Sequence, residues 1–86
     1  MDFTILKQAG ISYQEFATMC NVSKVAVFKW TKGGGVNRFL QERVKKLLVA
    51  AASAVAEGDL PLPAGSHRSE RFKMITKAIA KQLRQA

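Results

Sequence analysis

Three lysines, Lys24, Lys29 and Lys32, are threaded through an apolar run containing Val25, Val27, Phe28 and Trp30, and the run stops at Gly33, Gly34 and Gly35. Ammonium groups attract anions; valine and aromatic side chains attract apolar surface. A helix confined to a core has no use for the lysines, and a fully solvated helix has none for the large apolar residues. A helix packed on one side and facing a polyanion on the other uses both. The rest of the chain offers little competing chemistry. One histidine, His67, one cysteine, Cys20, and carboxylates without useful pairing make neither a catalytic set nor a metal cluster. The expectation is a protein that is not an enzyme and needs no cofactor.

The charge balance points the same way. Fourteen Lys and Arg against six Asp and Glu give the 86 residues a net charge of +8. In so small a chain this attracts phosphate-rich partners, nucleic acid foremost. Residues 59–86 carry six basic and two acidic side chains, so half of the net charge sits there. An apolar share of 48% excludes wholesale disorder, and the length suits one small domain with a modest core. The opening Asp2, Phe3 and Thr4 form no secretory signal, and the longest near-apolar run, 47–56, is too short to span a bilayer. A cytoplasmic chain without a membrane partner is expected.

Local signals then set the elements that must position the lysines. Asp2 is placed to cap a short first helix in which Phe3 and Leu6 share a face, with Gly10 ending it and Ile11 following. Ser12-Tyr13-Gln14-Glu15 has the form of a capping box, opening a second helix with Tyr13, Phe16, Ala17 and Cys20 on one face. Asn21, which tolerates left-handed backbone, ends it, and Ser23 caps a third helix over residues 24–32. Two short helices joined by a turn of this size are a helix-turn-helix arrangement. A fourth helix over 37–57 turns Leu40, Val44, Leu47 or Leu48, Ala51 and Val55 inward.

Two prolines and two glycines make residues 58–65 an extended connector whose leucines pack on the body. In the last helix, about 69–85, Phe72, Ile75, Ile79 and Leu83 lie nearly opposite Lys73, Lys77, Lys81 and Arg84. With no strand signal, the predicted fold is all-α, a five-helix bundle. Residues 1–58 form its helix-turn-helix core and 59–65 the connector. Residues 66–86 form a basic amphipathic helix, packed on the core or at a dimer interface.

At 100° per residue the third helix divides into two arcs. Ala26, Val27 and Trp30 share one and can bury against Phe16, Ala17 and Cys20. Lys24, Val25, Phe28, Lys29 and Lys32 share the other. Spacing alone leaves this second arc open to two readings. Val25 and Phe28 could pack on the first or fourth helix above a solvated lysine edge. They could instead enter the DNA major groove, apolar groups on thymine methyls and lysines on phosphates or guanine acceptors.

The segment 16–30 resembles the helix-turn-helix of Cro-like phage repressors and their bacterial relatives. Their pattern has alanine in the first motif helix, glycine at the turn, then valine-serine, a branched apolar residue four positions on, and often tryptophan three later. Ala17, Asn21, Val22-Ser23, Val27 and Trp30 stand at those places. Asn21 replaces glycine, and Tyr13 stands where the family often has a phosphate-contacting glutamine, with Gln14 adjacent. The resemblance covers about residues 3–57. It implies a sequence-specific DNA-binding regulator, usually dimeric, on paired half-sites. It makes Ser23, Lys24, Val25, Phe28 and Lys29 the base-reading candidates. Gln14, Lys32 and the amides of Gly33 to Gly35 become backbone contacts, although the glycine run reads equally as a flexible connection.

The expectation is therefore a phage or prophage transcriptional repressor that binds double-stranded DNA as a homodimer. Two rivals keep the fold and change the partner. One is an antitoxin whose last helix grips a second protein. The other is an adaptor or inhibitor in which Val25 and Phe28 contact protein.

Overall fold

The computed structural model describes residues 2–63, 65 and 68–85. Ala64 of the expected connector, and Ser66 and His67 ahead of the last helix, lie outside the described residues. Five helices follow in chain order: α1 (Thr4–Gln8), α2 (Tyr13–Cys20), α3 (Lys24–Thr31), α4 (Arg38–Ala56) and α5 (Arg68–Gln85). There is no strand among the described residues. The fold is all-α.

Three of the helices start as their sequences prescribe. At α2 the Glu15 amide donates to Ser12 Oγ at 3.1 Å and the Ser12 amide to Glu15 Oε1 at 2.9 Å, closing the capping box. Ser23 Oγ accepts from the Ala26 amide at 3.2 Å, and Asn37 Oδ1 from Phe39 at 2.9 Å. The start of α1 differs by one position. Phe3 is the N-cap and offers no side-chain bond, while Asp2, one residue earlier, accepts from the Thr4 amide at 2.9 Å.

One device stops four helices. Gly10, Asn21, Gly33 and Gly58 all have positive φ, and each turns the chain so that two amides point back into the last helical turn. In α1 these bonds are Gly10 to Lys7 and Ile11 to Leu6; in α2, Asn21 to Thr18 and Val22 to Ala17. In α3 they are Gly33 to Trp30 and Gly34 to Lys29; in α4, Gly58 to Val55 and Asp59 to Ala54. Gly10 needs its missing side chain twice over. Its φ is +67°, and a Cβ there would lie 3.0 Å from Pro61 Cβ.

The longest helix, α4, is the spine on which α1, α2 and α5 pack. Val44, Leu47, Leu48, Ala50, Ala51 and Ala54 are its buried residues, while Leu40 and Val55 of the expected stripe are half-buried. Ile75 and Ile79 of α5 are buried in the same cluster, and Leu60 of the connector joins them. The face of α5 departs from expectation at its end. Gln82, not Leu83, takes the inward position, because its amide donates to Glu57 Oε2 at 2.6 Å. Leu83 is left 41% exposed. Lys81 also leaves the free basic stripe, lying 3.7 Å from Glu57 and 3.3 Å from Asp59.

A clamp ties α5 to the α1–α2 turn and the start of α2. Arg71 Nε donates to Glu15 Oε2 at 3.2 Å, and Arg71 Nη2 donates to the Gly10 carbonyl. Glu15 thus serves the α2 cap with one oxygen and α5 with the other. Because Glu15 is largely buried, removing the guanidinium leaves its carboxylate short of a partner. Arg71→Ala is expected to cost about 1–3 kcal/mol, read as a lowered denaturant midpoint with the slope unchanged.

Candidate nucleic-acid interface

The third helix has one side in the core and one outside it. Val27 is fully buried and Trp30 nearly so, with Ala26 half-buried beside them. The Trp30 ring stacks on Phe3 at 6.2 Å, and Phe3 meets Phe16 edge-on at 6.4 Å. Residue 3 therefore holds α3 from the start of the chain, while α2 supplies the main packing surface.

Val25 and Phe28 stay 61% and 49% exposed, and neither the first nor the fourth helix packs substantially on α3. Lys24, Lys29 and Lys32 are exposed on the same side, and they form no ion pair among the described residues. The Phe28 ring is steadied rather than buried. Tyr13 meets it at 6.5 Å and 61°, and Lys32 Nζ lies 5.4 Å from its centroid. Tyr13, a departure from the resembled pattern, thus supports the exposed aromatic. Spacing within α2 gave it only an inward role, since its partner lies on another helix.

The polar candidates divide. Ser23 is exposed and its oxygen is engaged by the Ala26 amide, leaving the hydroxyl proton free to donate. Gln14 is exposed at the start of α2, its Nε2 only at 3.5 Å from Thr18 Oγ1. The glycine run needs correcting at its first two amides. The Gly33 and Gly34 amides are already spent on Trp30 and Lys29 carbonyls at 3.2 and 2.8 Å, so they cannot hold phosphate. Nor is this stretch simply slack: a Cβ on Gly34 would lie 2.8 Å from the Lys29 oxygen, so the helix stop itself demands glycine.

At α5, Lys73 and Lys77 are exposed, and Arg84 Nε reaches its own helix at the Ala80 carbonyl, 3.4 Å away. Among the described residues, no three His, Cys, Asp or Glu side chains gather closely enough to hold a metal ion. No helix is long and apolar enough to cross a membrane among the described residues. What the exposed side of α3 can do is bind: separated cations for an extended anion, with two apolar groups between them.

No family model, curated protein or solved structure matches the chain.

Cys20 lies behind this surface, fully buried in the α2 face. Burial pushes its thiol up to about 11, against a smaller opposing pull from Arg43. The folded chain then keeps a proton that the unfolded chain loses near about pH 8.5. This contribution to stability is complete below the unfolded value and disappears as pH rises towards about 11. Denaturant midpoints taken from about pH 8 to about pH 10 are expected to fall more steeply for the wild type than for Cys20→Ala.

Proposed function

We propose that this chain is a sequence-specific DNA-binding transcriptional regulator of the phage or prophage repressor kind. In this reading α2 and α3 act as a helix-turn-helix, and α3 enters the major groove. One observation carries the reading: Val25 and Phe28 stand exposed beside three lysines that form no ion pair among the described residues, on a helix whose other side is core. Exposed apolar groups cost little in a groove lined by thymine methyls, and the lysines meet phosphates or guanine N7 and O6 there. Lys24 and Lys29 flank the apolar pair and are the hydrogen-bonding readers. Ser23 offers one further donor at the helix start. Gln14 and Lys32 hold the backbone on either side.

Repression suits the chain better than activation, because occupancy of an operator is enough and so basic a surface offers no acidic activating patch. Pairing as a homodimer on two half-sites about one turn, roughly 34 Å, apart belongs to the same proposal, as does a cytoplasmic location. The inward stripe of α5 is occupied by the fold, so pairing falls to what remains exposed. Phe39 and Leu83, which line one groove between α4 and α5, offer apolar surface for it, with Val49 and Met74 also exposed on these two helices. The same groove would serve the antitoxin reading, in which a second protein takes that place.

Selection from a random duplex library at two salt concentrations tests the proposal. Enrichment of a palindrome with half-sites one turn apart is the expected outcome. Equal retention of every sequence, lost at higher salt, would leave an electrostatic binder and turn attention to a protein partner for Val25 and Phe28. On the selected duplex, Lys24→Ala and Phe28→Ala should each cost about 1–3 kcal/mol and relax the preference at one position. Lys77→Ala should weaken all sequences alike if it acts at all. The reverse pattern would overturn these roles.

A further inference from the structure

A groove of about 950 Å³ opens between the start of the chain, the α1–α2 turn and α3. Three lysines from two different helices line it: Lys7 from the end of α1, and Lys24 and Lys32 from the two ends of α3. Gln14, at the start of α2, lines it too. All four are exposed, and the three lysines form no ion pair among the described residues. Asp2 is the one acidic residue of the lining among the described residues, and the amide and hydroxyl of Thr4 already engage its carboxylate.

Nothing in α1 accounts for Lys7 at this place. Its helix contains no acidic residue, and its own periodicity marks it only as solvent-facing. The fold is what carries it to the rim of a concave strip shared with Gln14, Lys24 and Lys32. Lys7 and Lys32, cations drawn from separate elements along an open groove, match a line of phosphates better than one compact anion, which needs donors converging on a point, while Lys24 keeps its proposed place at the bases.

We infer that Lys7 binds the phosphodiester backbone of the strand beside the bases read by α3, and that this groove seats that strand. The inference rests on the DNA-binding reading and adds to it a contact from outside the α2–α3 pair. A lysine in the last turn of a helix also favours the helix dipole. The test therefore needs a readout that a structural role would not move.

That readout is the salt dependence of binding to a selected duplex and to a scrambled one, for wild type, Lys7→Gln, Lys7→Arg and Lys81→Gln. Lys81 lies on α5, lines neither this groove nor that of Phe39 and Leu83, and is paired with Glu57 and Asp59. Lys7→Gln should flatten the slope of log affinity against log salt by about 0.9 on both duplexes, leaving their affinity ratio unchanged. Lys7→Arg should keep the wild-type slope, and thermal melts establish that each variant is folded. A Lys7→Gln slope equal to those of wild type and Lys81→Gln would overturn the inference while leaving the DNA reading intact. So would a loss confined to the selected duplex. Competition by inorganic phosphate beyond that of chloride at equal ionic strength, abolished in Lys7→Gln, would replace the strand with a small-anion site. Binding of neither duplex by the wild type would remove the proposed function and this inference together.

Discussion

The Glu15 carboxylate is the point on which the arrangement of the helices turns. One oxygen closes the start of α2 through the Ser12 amide, and the other receives the Arg71 guanidinium from α5. Arg71 also reaches the Gly10 carbonyl, so the turn between α1 and α2 is gripped from both sides. Since α3 packs mainly on α2, the exposed surface of α3 inherits its position from this contact. The last helix thus bears on the third without touching it substantially. A chain of 86 residues cannot rely on core volume alone for such placement. It uses a charge-assisted clamp between segments far apart in sequence.

Short helices need defined ends, because nucleating one is costly and eight residues repay little of that cost in water. Here α2 and α3 are eight residues each. A serine at each start and a positive-φ residue at or just beyond each end leave few backbone groups without partners. The result is a pair of helices whose lengths are set locally and whose mutual packing is set by Phe16, Ala17, Cys20, Val27 and Trp30.

Those local settings are why much of the fold could be read from the sequence. Ser12 with Glu15, Asn21, Ser23 and Gly58 act on atoms within a few residues, and each did what its type prescribes. The division of α3 into a buried and an exposed arc was legible for the same reason: period alone separates Val27 and Trp30 from Val25 and Phe28. What period could not decide was whether anything covers the second arc, since that depends on where α1 and α4 pass. The ends of stripes were harder. Gln82 displaced Leu83 because Glu57, far away in sequence, supplied a partner for its amide. Lys81 was drawn off by acids of the α4 end and the connector. Tyr13 gained its place against Phe28, and Lys7 its place near Lys24 and Lys32, from tertiary packing that no local pattern announces. The glycines after α3 misled in another way: the composition suggested looseness or anion-holding amides, while the backbone spends two of them on its own carbonyls.

The start of α3 has a consequence for the energetics of the whole chain. Its first turn contains no acidic residue and begins with Lys24, an ammonium set against the positive end of the helix's peptide dipoles. Few carboxylates elsewhere offset the surplus of cations. Folding therefore brings these cations together on a small body, and small ions that screen their repulsion favour the folded form. Under the proposed DNA-binding reading, dissolved salt then acts in opposite senses on two equilibria, tightening the protein while loosening its hold on a polyanion. In that reading a bound polyanion would relieve the same repulsion locally and so complete the electrostatics of α3.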